Sequence, residues 1–216
     1  MQRKRKYKNP KVIAVTGGIG SGQSSVCEIL KEFGCRVIDV DRKAKQIIGK
    51  DKNLQNELQA AFGKKIFSRN GRLNRHLLAS IAFRDEEKTH LLNKLVHPRM
   101  VAEIVEEMEE ARFSQRYPLI VIDAALIYEI SIEQMFDAII VVYTSLKKRI
   151  ARVKERDKLK EEDIIARVNR QIPLEEKRKW ADFVIDNNGT LEDLHIQTRK
   201  IFEQLVDQIS LERSVT

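Results

Sequence analysis

Val12-Ile13-Ala14-Val15-Thr16-Gly17-Gly18-Ile19-Gly20-Ser21-Gly22-Gln23-Ser24 is the stretch that decides how the chain is read. Four apolar residues in a row, without polar alternation, suit a strand buried on both faces of a parallel sheet. Glycines follow at once. From Ser24 to Phe33 the residues Val26, Ile29, Leu30 and Phe33 recur at helical spacing, and Gly34 stands where a helix C-terminus takes a left-handed residue. Val37-Ile38-Asp39 then reads as a second strand. Strand, glycine turn, helix and strand make a βαβ unit.

Outward from that unit, residues 42–116 change character. Ile47, Leu54, Leu58 and Phe62, then Leu77, Leu78, Ile81 and Phe83, then Leu91, Leu92 and Leu95 keep helical periodicity, and a charged helix is expected from Met100 to about Arg112. Strands return at Leu119–Ile122, Ala138–Val142 and Phe183–Ile185. A basic helix is expected over Lys147–Arg156, a second charged helix begins near Glu161, and a last helix spans Leu191–Ile209. The expected fold is α/β, a three-layer arrangement around a parallel five-stranded sheet. The core is 11–41 with 117–209, and a helical insertion occupies 42–116.

At 216 residues, 42% hydrophobic and 33% charged, the chain fits a globular domain rather than a disordered one. No apolar run approaches the ~20 residues of a membrane span, and no apolar segment backs the basic N-terminus as in a secretory signal. Cys27 and Cys35 have no metal-ligand spacing and suit buried, reduced thiols, which points to the cytoplasm. The net charge of +8 is concentrated. Six of 40 basic side chains fall in residues 1–11 with no acid among them, which leaves 34 against 32 elsewhere. Residues 1–10 therefore read as a basic, disordered tail, and the body lacks the basic stripe of a nucleic-acid binder.

Gly17 to Ser24 matches the phosphate-loop pattern G-x-x-x-x-G-K-[ST] except at the lysine. In such a loop, glycines let backbone N–H groups turn toward phosphate oxygens, the helix that follows adds its positive end, and the serine hydroxyl serves Mg²⁺. Gly18, Ile19, Gly20, Ser21, Gly22, Gln23, Ser24 and Ser25 are the expected ATP contacts. Gln23 keeps reach and a hydrogen-bond donor but has no charge for the β- and γ-phosphates. Three readings stand: an enzyme that recruits another cation, a deliberate replacement, or a phosphate binder with little activity. Asp123, ending the third strand, is placed to reach Mg²⁺ as a second metal residue beside Ser24.

With Gln23 excepted, Thr16–Gly22 followed by Val37-Ile38-Asp39-Val40-Asp41 resembles the opening of dephospho-coenzyme A kinases. The likeness continues at Leu73-Asn74-Arg75, Leu95-Val96-His97-Pro98 and Asp123–Glu129. It is densest at Arg152–Asp157, Arg170–Arg178 and Ala181–Gly189, and covers about residues 11 to 205. The resemblance implies transfer of the ATP γ-phosphate to the 3′-hydroxyl of dephospho-coenzyme A. Asp41 would then be the base, with Arg75 and His97 contributing to the acceptor site in 42–116. It further implies a helical lid at about 152–170 carrying Arg152 and Arg156, and an adenine-holding loop with Asn187 and Gly189.

Each of these residues also has a plainer reading: a helix-capping aspartate, a solvated basic face, a tight turn, a satisfied histidine. Another small-molecule or nucleoside monophosphate kinase, or a non-catalytic nucleotide or coenzyme A binder, are the alternative functions. Oligomeric state is not legible.

Overall fold

The computed structural model describes residues 7–68, 70–82 and 84–212, with the side chains of 75, 76 and 208–212 outside the description. Phe83 and the Ile209 side chain, both expected on helix faces, therefore lie outside the described residues. Five strands form one sheet: β1 (Lys11–Gly17), β2 (Arg36–Asp39), β3 (Leu119–Asp123), β4 (Ala138–Tyr143) and β5 (Phe183–Asp186). They lie in the order β2-β3-β1-β4-β5, and every pairing is parallel. The chain leaves β1 toward β2 on one side and returns from β3 to β4 on the other. The loop after β1 thus sits at the switch point where open α/β sheets bind ligands.

The chain divides into two compact units, one running to Asp39 and resuming at Met108, the other Val40–Glu107. In the first unit, Ile13, Val15, Val121, Ile140 and Val142 face α1 (Gln23–Glu32) and α9 (Leu191–Glu212), through Val26, Leu30, Leu194 and Leu205. Val12, Ala14, Ile120, Ile122 and Val141, on the alternate positions, are equally buried. Both sheet faces are covered, which explains the unbroken apolar runs. Gly34 takes φ 87°, and Cys35 N–H reaches back to the Leu30 carbonyl at 3.1 Å to close α1. Two free cysteines, Cys27 and Cys35, are buried.

The second unit contains α2 (Val40–Lys50), α3 (Lys52–Phe62), a short 3₁₀ turn at Lys64–Ile66, α4 (Arg75–Ala82) and the start of α5 (Glu86–Ser114). Asp51 caps α3 by accepting from Leu54 N–H at 3.0 Å, and its other oxygen meets Arg99 Nε at 3.0 Å. Arg99 also reaches Glu57 Oε1 at 2.8 Å. One guanidinium thereby ties α3 to α5. The division between units falls inside α5.

Four expectations need correction. First, α5 is one helix from Glu86, although a separate helix was expected only from Met100. Pro98 lies within it. A proline there removes one helical N–H, yet the Arg99 side chain donates to the Leu95 carbonyl at 2.8 Å beside the gap, and Val96 and Met100 bury on either side. Second, residues 7–10 are not a free tail: Tyr7 N–H donates to the Gln115 carbonyl at 3.0 Å and Pro10 is buried. Residues 1–6 lie outside the described residues. Third, β2 ends at Asp39 as expected, but the helix begins at Val40 rather than near Arg42, so Asp41 stands inside its first turn rather than ahead of it. Fourth, α8 (Leu174–Trp180) has no counterpart in the sequence reading, which placed no helix between 170 and the strand at Phe183. It hides because the residue it buries deepest is a lysine. After β4 come α6 (Leu146–Asp157) and α7 (Glu161–Val168), as expected. Among the described residues no helix is long and apolar enough to cross a membrane.

Lys177 of α8 is fully buried. Its ammonium donates to the Ala125 carbonyl at 2.8 Å and meets Glu129 Oε1 at 2.6 Å, and that same oxygen accepts from Ile172 N–H at 3.0 Å. Burial pulls the Lys177 ammonium below its usual range, and Glu129 opposes the shift. Removing one partner of such a pair leaves the other charged and unmatched in a dry site. Lys177→Met should therefore lower unfolding free energy by about 3–5 kcal/mol in chemical denaturation. The double variant Lys177→Met, Glu129→Gln should lose less than the single one. Equal losses would mean that Glu129 does not depend on the lysine.

Candidate functional site

Residues 17–24 form a closed turn between β1 and α1. Ser21 N–H returns to the Gly18 carbonyl at 2.9 Å, and Gly22 ends the turn at φ 92°, as the N-cap of α1. Among the described residues no side chain caps that helix. Its leading N–H groups are therefore left for an anion, at the positive end of a helix. Gly22 cannot be another residue for two reasons. Its backbone is left-handed, and a Cβ there would overlap the amide of Asn187. Gly20, at φ 77°, is pressed in the same way against the Arg149 backbone and Val153 of α6.

What holds the turn comes from the ends of β4 and β5. Thr144 Oγ1 donates to the Ser21 carbonyl at 2.9 Å, and Asn187 Nδ2 donates to the same carbonyl at 2.8 Å. Asn187 is buried, and its own carbonyl accepts from Arg152 Nη2 at 3.0 Å. The amide expected to meet adenine is thus engaged with the loop itself. Asn188 Oδ1 accepts from Ser145 N–H at 3.1 Å, while Gly189 leaves space for Asp193, which pairs with Thr190 in a capping box that starts α9. Beside the loop is a cavity of about 410 Å³, lined by Gly20, Gly22, Ser25, Arg152, Arg156 and Leu191 among others. Its size is within the range of small-ligand pockets.

Gln23 turns to the end of β3, where its Nε2 donates to Asp123 Oδ1 at 2.5 Å. A carboxylate only accepts, so the amide must present its NH₂ side. Burial, and next the negative charge of Asp123, push the Cys27 thiol well above its ordinary pKa. Cys27 is a neutral donor here, not a nucleophile. Ser24 is exposed at the start of α1. The described residues contain no group of three or more His, Cys, Asp or Glu side chains able to cage a metal. Ser24 and Asp123 nevertheless supply hard oxygens, which suits an Mg²⁺ bound chiefly through phosphates and water.

The remaining candidates are distributed as follows. Arg152 and Arg156 lie one turn apart on α6. Arg156 clasps Asp157 through Nε at 2.8 Å and Nη2 at 2.9 Å, and is largely exposed. Asp41 is exposed in the first turn of α2. Arg75 is the first residue of α4, behind an Asn74 cap, and its side chain lies outside the described residues. His97 is half-buried within α5 rather than at a helix end, and burial pulls its imidazole below the usual 6.5. Sequence reasoning missed Thr144, Gln171 and Arg149. Gln171 Oε1 accepts from Ile19 N–H at 3.0 Å, and Arg149 Nε donates to the Ile19 carbonyl at 2.9 Å. Only Arg149 left a signal, three residues before Arg152 and so on one helix face with it.

A family model described as dephospho-CoA kinase matches residues 11–193. A dephospho-CoA kinase of Corynebacterium glutamicum is 37% identical over 198 residues, 92% of this chain and 98% of that one. A solved structure from Thermus thermophilus superposes with a TM-score of 0.79 at 34% identity, covering 92% of this chain and 99% of the other. A dephospho-CoA kinase from Campylobacter jejuni gives 0.61 at 27% identity, covering 92% and 97%.

Because Gly22 combines a left-handed backbone with a closed approach to Asn187, Gly22→Ala should strain the loop by at least the ~1–2 kcal/mol of a left-handed residue. Titration calorimetry should show ATP affinity reduced about 10-fold or more, since 1.4 kcal/mol is a factor of ten. Undiminished affinity would mean that the loop does not hold the nucleotide.

Proposed function

Since the chain belongs to the dephospho-CoA kinase family, we infer that its glycine turn, the end of β3 and the arginines of α6 together carry phosphoryl transfer from ATP. The reaction is transfer of the ATP γ-phosphate to the 3′-hydroxyl of dephospho-coenzyme A, the last step of coenzyme A biosynthesis. The observation that carries the assignment of residues is the closed turn 17–24 at the switch point, with Asp123 facing residue 23. In this reading Gly18, Ile19, Gly20, Ser21, Gly22, Gln23, Ser24 and Ser25 bind the phosphates. The cavity beside Arg152 and Leu191, lined also by Asn187, takes the base end of the nucleotide, with Gly189 among the residues assigned to the base.

The chemistry asks for positioning and charge stabilisation more than for covalent catalysis. Asp41 is proposed to accept the proton of the ribose 3′-hydroxyl as its oxygen bonds to the γ-phosphorus. The bond to the β-phosphate oxygen breaks, and ADP leaves with the negative charge. Loop N–H groups and Arg152 stabilise that charge, and Arg156 joins them by exchanging Asp157 for phosphate. Ser24 and Asp123 would hold Mg²⁺, which when bound neutralises the β- and γ-phosphate oxygens. Residues 152–170 act as the lid and 42–116 as the acceptor-binding subdomain, with Arg75 and His97 toward the acceptor. Two buried reduced thiols accord with a cytoplasmic location.

Removing a base that serves only the acceptor should spare nucleotide binding. Asp41→Asn should bind Mg·ATP and dephospho-coenzyme A within a few-fold of the parent, yet release ADP at least ~100-fold more slowly in a coupled assay. Asparagine also stabilises a helix start, so an Asp41 that only supports α2 would leave both quantities near parental values.

A further inference from the structure

The phosphate loop lacks its usual cation, and the structure contains a buried cation against that loop. Arg149, in the first turn of α6, is 5% exposed. Its Nε donates to the Ile19 carbonyl at 2.9 Å. Its guanidinium lies so close over Gly18 that a Cβ on that residue would overlap Nη1, Cζ and Nη2. Among the described residues that one hydrogen bond is the side chain's only one, and no carboxylate pairs with it at salt-bridge distance. Buried charges are ordinarily paired. Glu175 and Tyr143 act on it from further away, with Lys177 as the nearby like charge. Burial lowers the Arg149 pKa, but a guanidinium remains charged in proteins.

The other two arginines of α6 are engaged differently. Arg156 is neutralised by Asp157, and Arg152 is bonded to the Asn187 carbonyl and Thr144. Gln23 has its amide on Asp123. Among the described residues, then, one buried positive charge without a paired carboxylate lies against the loop, and the loop is read as the seat of an anion. We propose that Arg149 supplies the charge that Gln23 lacks, and that its counterion is the polyphosphate of the bound nucleotide. The proposal rests on the reading of residues 17–24 as the phosphate site. It makes Arg149 a determinant of phosphate affinity, acting through the loop it underlies.

The test is a double-mutant cycle between positions 149 and 23, read with tripolyphosphate and Mg·ATP as calorimetric probes. Arg149→Gln removes the charge and keeps a donor, whereas Arg149→Lys keeps the charge. Arg149→Gln should weaken tripolyphosphate binding about 30–100-fold in the parent and less than about 5-fold in the Gln23→Lys background, and Arg149→Lys should retain most of the parental affinity. Losses that are equal in the two backgrounds would overturn the proposal, as would equal losses for lysine and glutamine at 149, because a residue that only shapes the loop gives both patterns. Melting temperatures of all variants identify any that unfold. Should Arg149→Gln fail to fold, Arg149→Lys in the two backgrounds decides, since retained affinity supports the charge and a loss overturns it. Binding needs no transfer. A chain that binds as expected but makes no ADP with dephospho-coenzyme A would refute the kinase assignment and leave Arg149 standing, while the converse would do the reverse.

Discussion

One buried carbonyl, that of Ser21, organises the functional edge of the sheet. It belongs to the turn after β1 and accepts from Thr144, just past β4, and from Asn187, just past β5. Three strand ends therefore meet at a single acceptor, and the glycine turn has one shape only while they do. The glycines follow from that closure. Gly20 and Gly22 lie under α6 and Asn187 with no room for a side chain, in backbone conformations that other residues adopt at a cost. Asn187 is thus as much part of the phosphate loop as the loop's own residues.

Charge is distributed unusually around this frame. Asp123 is met by a neutral amide where a lysine would place a cation. Two buried cations lie nearby in the same unit, with opposite arrangements. Lys177 is matched by Glu129 and donates to the Ala125 carbonyl, so it fastens the segment after β3 to α8. Among the described residues Arg149 has no matching carboxylate, and it lies directly on the loop. A matched buried charge gives structure, and an unmatched one gives affinity for an anion. The same low-dielectric surroundings serve both purposes.

Much of this was legible beforehand because it depends on local rules. The β-strand runs, the left-handed Gly34 and the glycine turn are set by backbone sterics and by burial on two faces, which a linear pattern records. The phosphate loop was legible down to its one departure. What escaped depends on partners distant in sequence. A charged helix was expected to start afresh at Met100, but Arg99 and the burial around Pro98 carry α5 through from Glu86. Helix α8 received no reading because its deepest residue is Lys177, whose partner is the distant Glu129. Asn187 looked like a turn or an adenine ligand, and its bond to Ser21 spans 166 residues. Arg149 was passed over for Arg152 and Arg156, since no sequence rule says which face of α6 meets the loop.

The most direct measurement is the identity of the product. The chain would be incubated with Mg·ATP and dephospho-coenzyme A, and the mixture followed by phosphorus NMR. A new phosphomonoester signal coupled to the ribose 3′-proton is expected, formed one for one with ADP. ADP formation that is no faster with dephospho-coenzyme A than without it, or a phosphate attached at another position, would contradict the account.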